Sequence, residues 1–521
     1  MKGIIKLVVV AFLSVPFYSV AQEKKPNVLM IAVDDWNDWV GAFGNDQIQT
    51  PNLDKLAAMG VILTHNQANA TYCTPSRSSL MTGVAPWNSG LYASHPQLFN
   101  IPERMAMPEL FKKNGYQVYG GGKIFHHMPG YLDLRGYDEY FHWNPKLKKK
   151  GWPLAAWDDN PATPKELPYS EIAKATRKNF DIAALPNSVE KEMADTQLCD
   201  WAAKLIGEEH KDPFFLSVGL FSPHKPNFAP QKYFDLYPLE NISIPEGVLE
   251  EDIEDLPQMI QELVERKAKR NHKKLLTVEE GWKKALQGYM ASISYADAQI
   301  GKILDALEDS PYAENTIIVF WSDHGYHLGE KETWAKHTLW ERTTNAPLIW
   351  AGPGVKKGEE YKGVTSLLDI YPTLIDQCQL QGAQQMDGES IVKELKEPDR
   401  IVDRAVLTVD KEGNSFSVFT NQWHYINYEF GKGEELYNIV EDKHEWNNLA
   451  ANEKYNAVKN ELRKHIPHDP KEPAVNQEDL DLVLKGNSFE WVRKDGDSSG
   501  KKNKKNKKKN KKKKNMKNMK N

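Results

Sequence analysis

The strongest constraint on the fold is a set of short apolar runs, each of which ends in a cluster of polar residues. Runs this apolar predict strands buried on both faces of a sheet. Four strands of this kind are predicted at residues 26–33, 117–119, 214–221 and 316–321. The polar clusters that follow them are Asp34-Asp35, Gly120-Gly121-Gly122-Lys123, Ser222-Pro223-His224-Lys225 and Ser322-Asp323-His324-Gly325.

Helical patterns lie between these strands, at residues 52–59, 76–82, 108–114 and 281–307. Alternation of strands and helices predicts an α/β sandwich with a large, mainly parallel central sheet. Open α/β sheets place their active sites at the carboxyl ends of the strands. We therefore expect the four polar clusters to meet at one edge of the sheet.

The pattern changes after residue 380 to short strands at 405–409, 415–419 and 423–428 and a helix at 453–464. This predicts a catalytic domain over residues 22–380 and a smaller C-terminal α+β domain over residues 381–495. Two stretches near 141–187 and 241–274 are rich in Trp, Pro and charge without a clear period, and we interpret them as insertions over the sheet.

The N-terminal residues 1–21 are typical of a signal peptide. Lys2 and Lys6 flank an apolar run, and Ser19-Val20-Ala21 is a small-residue cleavage pattern. The run is too short to span a bilayer, and no later segment reaches the roughly 20 apolar residues required. The sequence thus predicts export to the periplasm, the cell surface or the medium, without a transmembrane segment.

The C-terminal residues 496–521 form a Lys/Asn-rich tail that we expect to be disordered, because it has almost no apolar residue to bury. Residues 501–521 contain 13 lysines and no acid, so the rest of the chain carries a formal charge of −18 against −5 for the whole. The tail could bind polyanions or be a solvated extension. No nucleic-acid partner is predicted.

Only three cysteines occur, Cys73, Cys199 and Cys378, too few for a disulfide framework in an exported protein. Cys73 opens the run Cys73-Thr74-Pro75-Ser76-Arg77, followed by residues 78–83 and a predicted helix. A buried structural cysteine is the ordinary alternative. The whole eleven-residue run, however, resembles the signature of type I sulfatases, in which the cysteine is oxidised to formylglycine.

The resemblance continues in family order through the segments around Asp34-Asp35, Thr50-Pro51, Gly122-Lys123, Pro223-His224 and Asp323-His324 to Trp334-Ala335-Lys336. It implies an alkaline-phosphatase-like fold. The motifs around Lys123 and Lys336 are most similar to those of iduronate-2-sulfatase and its bacterial relatives. This similarity implies a sulfated, uronic-acid-containing polysaccharide as substrate, such as ulvan or a glycosaminoglycan.

Oxygen-rich clusters such as Asp34-Asp35 and Asp323-His324 suit Ca²⁺ or Mg²⁺, although either pair alone is more often a turn or a cap. The resemblance implies that Asp34, Asp35, Asp323 and His324 bind calcium, with modified Cys73 as a further ligand. It also implies maturation of Cys73 to formylglycine by a formylglycine-generating or an anaerobic sulfatase-maturating enzyme.

The resemblance assigns further roles to basic residues. Arg77 fixes the formylglycine hydrate, and Lys123 and Lys336 bind the sulfate oxygens. His224 and His126 supply the general acid and base, with His224 favoured as the acid, although spacing does not decide between them. Further candidates to face substrate are His337, Lys225, His127, His327 and Trp334.

Two other functions are compatible with parts of this pattern. A phosphomonoester or phosphonate hydrolase of the same superfold would usually have a Ser or Thr nucleophile, or zinc sites rich in His. An inactive polyanion-binding protein would follow if Cys73 stayed unmodified.

Overall fold

The computed structural model describes residues 25–93, 101, 104–126, 135–141, 170–176, 180–250, 252–474, 480–485 and 488–493. The predicted signal peptide, most of the predicted insertion near 141–187 and the Lys/Asn-rich tail lie outside these residues.

Twenty strands are present in the described part of the chain. They are β1 (Asn27–Asp34), β2 (Gly60–Leu63), β3 (Asn66–Gln67), β4 (Gln117–Gly122), β5 (Glu139–Phe141), β6 (Ile182–Leu185), β7 (Phe214–Pro223), β8 (Asn227–Pro230), β9 (Thr316–Ser322), β10 (His327–Leu328), β11 (Trp334–Ala335), β12 (Leu348–Ala351), β13 (Glu359–Tyr361), β14 (Thr365–Ser366), β15 (Val406–Val409), β16 (Phe416–Phe419), β17 (Trp423–Tyr428), β18 (Gly433–Asn438), β19 (Leu480–Lys485) and β20 (Ser488–Arg493).

The α-helices of the described residues connect and cover these strands. They are α1 (Pro51–Ala58), α2 (Cys73–Thr82), α3 (Pro86–Ser89), α4 (Met107–Lys113), α5 (Glu171–Ala175), α6 (Ala194–Ile206), α7 (Gln231–Phe234), α8 (Gln258–Leu263), α9 (Lys269–Leu275), α10 (Gly281–Glu308), α11 (Glu341–Thr344), α12 (Ile370–Cys378), α13 (Val392–Lys396) and α14 (Asn456–Arg463).

The central sheet has eight strands in the order β13-β2-β12-β9-β1-β7-β4-β5. The neighbours of β1 are both parallel to it, and β4 is parallel to β5 and β7. Strand β12 runs antiparallel to β2 and β9, so the sheet is mixed but mainly parallel. The predicted fold class, an α/β sandwich of the alkaline-phosphatase-like type with a smaller antiparallel sheet beside it, is confirmed.

Helices cover both faces of the sheet because its strands are apolar on both sides. On β1, Leu29, Ile31 and Val33 pack into one core cluster with α1, α6 and α10. The alternating residues Val28 and Met30 pack on the opposite face with α2, α4 and α12. The period of two along a strand explains this division, and the predicted helices at 52–59, 76–82, 108–114 and 281–307 correspond to four of these helices.

The smaller sheet is antiparallel, in the order β15-β16-β17-β18, and α14 packs against it. Its first three strands and the helix were predicted from sequence, whereas β18 was not. No helix in the described part of the chain is both long enough and apolar enough to cross a lipid bilayer.

Candidate active site

The polar clusters after β9, β1, β7 and β4 lie side by side. These four strands are consecutive in the sheet and mutually parallel, so their carboxyl ends meet at one edge. The chain turns sharply after β1, because Asp35 adopts a left-handed backbone with φ of 60°. The amide of Asp35 donates to Asp323 Oδ1 at 3.2 Å, which joins the ends of β1 and β9.

Cys73 is the first residue of α2 and is buried at this edge. Its Sγ donates to Asp34 Oδ1 at 3.4 Å and lies 3.5 Å from His324 Nε2, and Lys336 Nζ donates to it at 2.8 Å. Burial, together with the charge of Asp34, raises the pKa of the thiol well above its usual value. Because the thiolate is the nucleophilic form, an unmodified Cys73 is a poor nucleophile.

Arg77 lies one helical turn after Cys73 and is fully buried. Its Nε donates to Asp323 Oδ2 at 2.9 Å and its Nη2 to the Val33 carbonyl at 2.7 Å, and its Nη1 donates to the Lys123 carbonyl. The guanidinium thereby connects α2 to the ends of β1, β4 and β9.

Two lysines neutralise the first two carboxylates. Lys123 Nζ donates to Asp34 Oδ2, and Lys336 Nζ donates to Asp35 Oδ1 at 2.5 Å. Burial by itself raises the pKa of Asp34, but the charges of Lys123 and His224 outweigh it and hold that pKa well below its usual value. The pKa of Asp35 is lowered in the same way, against burial, by His224 and Lys336.

The donor set fits a hard divalent cation. Ligand atoms of Asp34, Cys73, Asp323 and His324 all lie within 4.8 Å of one another, as do those of Asp34, Asp35, Cys73 and His224. Asp35 Oδ2 is buried and has no hydrogen-bond partner among the described residues. His324 Nδ1 donates to the Gly325 carbonyl at 3.0 Å, so the lone pair of its Nε2 faces the carboxylates. Carboxylate oxygens with a single imidazole suit Ca²⁺ or Mg²⁺.

Of the two predicted acid–base histidines, His224 lies beside Asp35 and His126 lies beside Tyr72. His224 Nδ1 donates to the Lys225 carbonyl at 2.6 Å, and its Nε2 lies 3.7 Å from Asp35 Oδ2. Burial lowers the pKa of His224 to about 4, although Asp35 and Asp34 oppose this. His126 is buried beyond β4, and its ring lies 6.1 Å from that of Tyr72.

The arrangement of a cysteine-headed helix against buried acids and bases has a direct counterpart among known proteins. The family model described as Sulfatase matches residues 26–380, which is more than half of the chain. The chain belongs to the sulfatase family. A second model, described as N-sulphoglucosamine sulphohydrolase, C-terminal, matches residues 329–472. The predicted family and enzyme class are confirmed: the chain is a sulfuric ester hydrolase.

Two relatives and one solved structure illustrate the similarity. A sulfatase of Formosa agariphila is 39% identical over 85% of this chain and 86% of that protein. Human iduronate 2-sulfatase is 33% identical over 63% of this chain and 60% of its own length. The crystal structure of a phosphonate monoester hydrolase of Agrobacterium radiobacter has a TM-score of 0.68 at 21% identity, covering 91% of this chain and all of that one. At that identity the likeness concerns the fold alone.

In this sulfatase the predicted site residues other than His126 lie around Cys73, His126 lies beside Tyr72, and the roles of all of them stay predictions. Two further candidates have partners within the protein. His327 is buried and bonded to Thr338 Oγ1 at 2.8 Å, and Trp334 is buried and donates to His272 Nδ1 at 3.0 Å. Both side chains are therefore bonded to protein partners, and a contact of either one with substrate stays a prediction.

Lys225 lies over the ring of Phe180, and His127 is outside the described residues. One residue beside the nucleophile was missed. Tyr72 precedes Cys73, and its ring lies 5.1 Å from that of His337 and 5.8 Å from Lys336 Nζ. The position of Tyr72 directly before the Cys73 motif was the sequence feature that could have indicated its place in the site.

Proposed function

We propose that this sulfatase is exported and hydrolyses sulfate esters of a uronate-containing polysaccharide, such as ulvan or a glycosaminoglycan, using formylglycine made from Cys73. The observation that carries the proposal is the position of Cys73 at the start of α2, in contact with Asp34 and Lys336 and beside His324. Burial suppresses the thiolate, so the unmodified side chain has no evident nucleophilic use here. Oxidation to an aldehyde that is hydrated supplies a hydroxyl nucleophile instead.

We propose calcium as the metal, bound by Asp34, Asp35, Asp323 and His324 and by the modified Cys73. Three buried carboxylates face three bases, the buried Arg77 and Lys123 and the largely buried side chain of Lys336, so the side-chain charges of the site balance. When bound, the divalent cation supplies Lewis acidity that lowers the pKa of a hydroxyl and offsets negative charge on sulfate oxygens. The added charge makes the site net positive, which favours an anionic sulfate ester.

The basic residues then have distinct tasks. Lys123 and Lys336 stabilise negative charge that develops on the sulfate oxygens, because their ammonium groups are already held in place before substrate binds. Arg77 is bound on all sides by protein oxygens, at Asp323, Val33 and the residues after β4. It therefore orients the start of α2 and the Asp323 carboxylate.

His224 is the favoured general acid. Its Nδ1 proton is bound to the Lys225 carbonyl, which leaves Nε2 to accept and donate the transferred proton. With a pKa of about 4 the imidazole is neutral at pH 7 in the free site. A bound sulfate ester adds negative charge beside it and favours the protonated form. His126, whose ring lies 6.1 Å from that of Tyr72, is the candidate base that deprotonates the second hydroxyl.

The substrate class follows from relatives and from charge. Human iduronate 2-sulfatase is named for a sulfated uronic acid, and its similarity to this chain supports a substrate of that kind. Ulvan and glycosaminoglycans both contain sulfated sugars next to uronic acids. A phosphonate or phosphate monoester hydrolase shares the fold, but the Cys73 signature and the acidic metal set support sulfate ester hydrolysis.

The test is release of sulfate by the full chain, co-produced with a formylglycine-generating enzyme. The panel comprises 2-O-sulfated uronate disaccharides, ulvan oligosaccharides, an aryl sulfate, a phosphate monoester and a phosphonate monoester. We expect sulfate release from at least one sulfated uronate saccharide and no comparable phosphate release. Faster turnover of either phosphorus ester would contradict the proposal.

Maturation and export are tested separately by mass spectrometry. The peptide that contains residue 73 should carry formylglycine in active protein, and the mature chain should begin at Gln22. Cys73→Ala should abolish turnover and leave the unfolding transition in place. Full activity of protein with an unmodified thiol would contradict the mechanism.

A further inference from the structure

Lys336 lies on an irregular stretch of chain, residues 329–341, which we term the lysine segment. The regular strand within it is β11, only two residues long. Four of its residues other than glycine have left-handed backbones, at φ of 47°, 51°, 84° and 78° for Lys331, Glu332, Ala335 and His337. Such conformations cost about 1–3 kcal/mol each and persist only where the surroundings impose them. The position of Lys336 therefore depends on what holds this segment.

The beginning of the lysine segment is fixed by Lys331, which is almost fully buried. Its Nζ donates to Asp252 Oδ1 at 2.9 Å and to the Glu445 carbonyl at 2.7 Å. The ammonium also lies 5.6 Å from the ring centres of both Trp340 and Tyr437. A buried ammonium with two oxygen acceptors and two aromatic faces has little freedom to move.

The end of the segment is bound to the same part of the smaller sheet. Trp340 Nε1 donates to Glu435 Oε2 at 2.8 Å, and the amide of Glu341 donates to Glu445 Oε2 at 2.9 Å. Tyr437 and Tyr428 donate to the Glu435 carboxylate at 2.6 and 2.8 Å, which fixes its orientation. Glu435 lies on β18 and Glu445 follows that strand.

We propose that Glu435 and Glu445 are positioning residues for Lys336. They hold the two ends of the lysine segment, and the segment in turn places Lys336 Nζ 2.8 Å from Cys73 Sγ and 2.5 Å from Asp35 Oδ1. The inference rests on the proposed function of Lys336 as a sulfate-binding residue. It gives the smaller sheet a task in catalysis without contact between these acids and substrate.

Glu435→Gln tests the anchor at the end of the segment. Gln has one acceptor oxygen where the carboxylate has two, so it cannot accept from Trp340 and from both tyrosines with unchanged geometry. A displacement of about 1 Å at a catalytic group can cost about 100-fold in rate. We expect kcat on a fluorogenic aryl sulfate to fall by about tenfold, with a smaller change in KM.

The decisive measurement repeats the substitution in a Lys336→Ala background. If Glu435 acts through Lys336, its substitution should change kcat by less than about twofold once Lys336 is absent. Loss of folded enzyme would instead lower the rate by the same factor in both backgrounds. Equal factors, or no loss in the wild-type background, would overturn the proposal.

Two further variants keep the test decisive. Trp340→Phe removes the indole N–H whose hydrogen bond Glu435 accepts and keeps a smaller aromatic ring, and it should reproduce the non-additive loss if Glu435→Gln does not fold. Glu434→Gln is the matched control, because Glu434 is the neighbouring residue on β18 and pairs with Lys459 at 3.4 Å and with Arg463 instead. We expect its kcat to be unchanged within about twofold.

A second readout does not require sulfatase activity. Acetic anhydride labels accessible lysines, and peptide mass spectrometry follows the label on Lys336. Glu435→Gln and Trp340→Phe should raise the rate of Lys336 labelling several-fold, and Glu434→Gln should not. If wild-type protein releases no sulfate but labelling rises in this pattern, the proposed function fails and the positioning role stands. Unchanged labelling in both variants would overturn the positioning role.

Discussion

The two lysines beside Cys73 reach the site in different ways. Lys123 follows β4, and its amide donates to the Gly219 carbonyl of β7 at 2.6 Å, so the regular pairing of the central sheet fixes its backbone. Lys336 lies on the lysine segment, in which irregular backbone is held by acids of the smaller sheet. One lysine is placed by the sheet itself, and the other by contacts with a second sheet.

This difference predicts separate consequences for stability and for rate. The surroundings of Lys123 are part of the folding core, since its side chain is fully buried beside Asp34 and 5.1 Å from the ring centre of Phe221. The Lys336 side chain keeps some exposure, 7%, and its segment is not part of the central sheet. Removing either lysine should impair catalysis, but removing Lys123 should lower the free energy of unfolding more.

The largest expected effect is that of Lys123→Ala and Lys336→Ala on turnover. Each variant should lose about 10²–10³-fold in kcat, as for removal of one preorganised donor from an anion-stabilising site. Lys123→Ala should also lower the free energy of unfolding by about 3–5 kcal/mol, because it leaves Asp34 buried without its partner.

Lys336→Ala should lower the free energy of unfolding by roughly half as much, since water can reach its position. Urea unfolding of the two variants and the wild type measures this difference, and aryl sulfate turnover measures the rates. Equal losses of stability would contradict the distinction between the two lysines.

Calcium should stabilise the region around Lys123, because its proposed Asp and His ligands follow or end strands of the central sheet. A ligand that binds only the folded state at 100 times its Kd adds about 2.7 kcal/mol to the free energy of unfolding. We expect calcium to raise the Tm of the chelator-treated wild type and to restore its activity. Asp34→Asn and Asp323→Asn should abolish the rise in Tm.

Glu435→Gln serves as the control for calcium, because its substitution leaves the ligand set of Asp34, Asp35, Asp323 and His324 intact. Its Tm should rise with calcium as in the wild type. A rise that persists in both Asp variants would place the calcium site elsewhere, and an undiminished rate in excess chelator would remove the metal from the mechanism.

The contrast between the lysines also explains which features could be predicted from sequence. The runs that form β1, β7 and β9 are mostly apolar, and parallel strands bring their ends together whatever the intervening loops do. Asp34, Lys123 and His224 could thus be assigned to one edge from local patterns. The Cys73 signature added the nucleophile.

The anchors of Lys336 could not be predicted in this way. Glu435 lies on β18, a strand with charged residues at two consecutive positions, and nothing local relates it to Trp340, which is 95 residues earlier in the chain. His327 and Trp334 were expected to face substrate because they occur close to Lys336 in sequence. Their partners in the structure, Thr338 Oγ1 and His272 Nδ1, are set by tertiary packing, which no local pattern indicates.

A smaller loss of stability is expected when either of two glycines, one beside Lys123 and one at the start of the lysine segment, is replaced by alanine. A Cβ on Gly219 would meet backbone atoms of Lys123 and Ile124, whereas a Cβ on Gly329 would meet the side chain of Trp282. Both variants to Ala should lower the free energy of unfolding by about 1–3 kcal/mol, in the range for overpacking.

Only Gly219→Ala should displace the Lys123 backbone, because its added Cβ clashes with main-chain atoms of Lys123 and Ile124, which follow β4. Gly207→Ala is the control, since its Cβ would come no closer than 3.4 Å to another atom. The checks are urea unfolding and acetic anhydride labelling of the two lysines, with Lys123 more reactive in Gly219→Ala alone. Faster labelling of Lys123 in Gly329→Ala would contradict the separation of the two regions.

The smallest expected effect is the dependence of stability on pH. Its sign at the carboxylates of the central sheet is opposite to its sign at the end of the lysine segment. The lowered pKa values of Asp34 and Asp35 mean that these acids stabilise the fold above pH 3.8, the usual pKa, and lose that contribution as pH falls further. At the end of the lysine segment, burial and the charges of Asp38 and Glu445 raise the pKa of Glu341 to about 8. Its contribution is therefore fully present below pH 4.5 and is lost as pH rises towards 8.

Glu341→Gln removes this titration and keeps an oxygen that can accept from Asn345 Nδ2, as Glu341 does at 2.6 Å. Relative to this variant, the wild type should become less stable between pH 5 and 8 and then level off. The change should be about 1 kcal/mol or less, because the side chain is partly exposed and solvent screens it. Urea unfolding from pH 5 to 9 measures the difference, with Glu434→Gln as control, since the pKa of Glu434 is lowered and it stays ionised throughout. A flat or rising difference for Glu341→Gln would show that the end of the lysine segment does not hold a protonated acid.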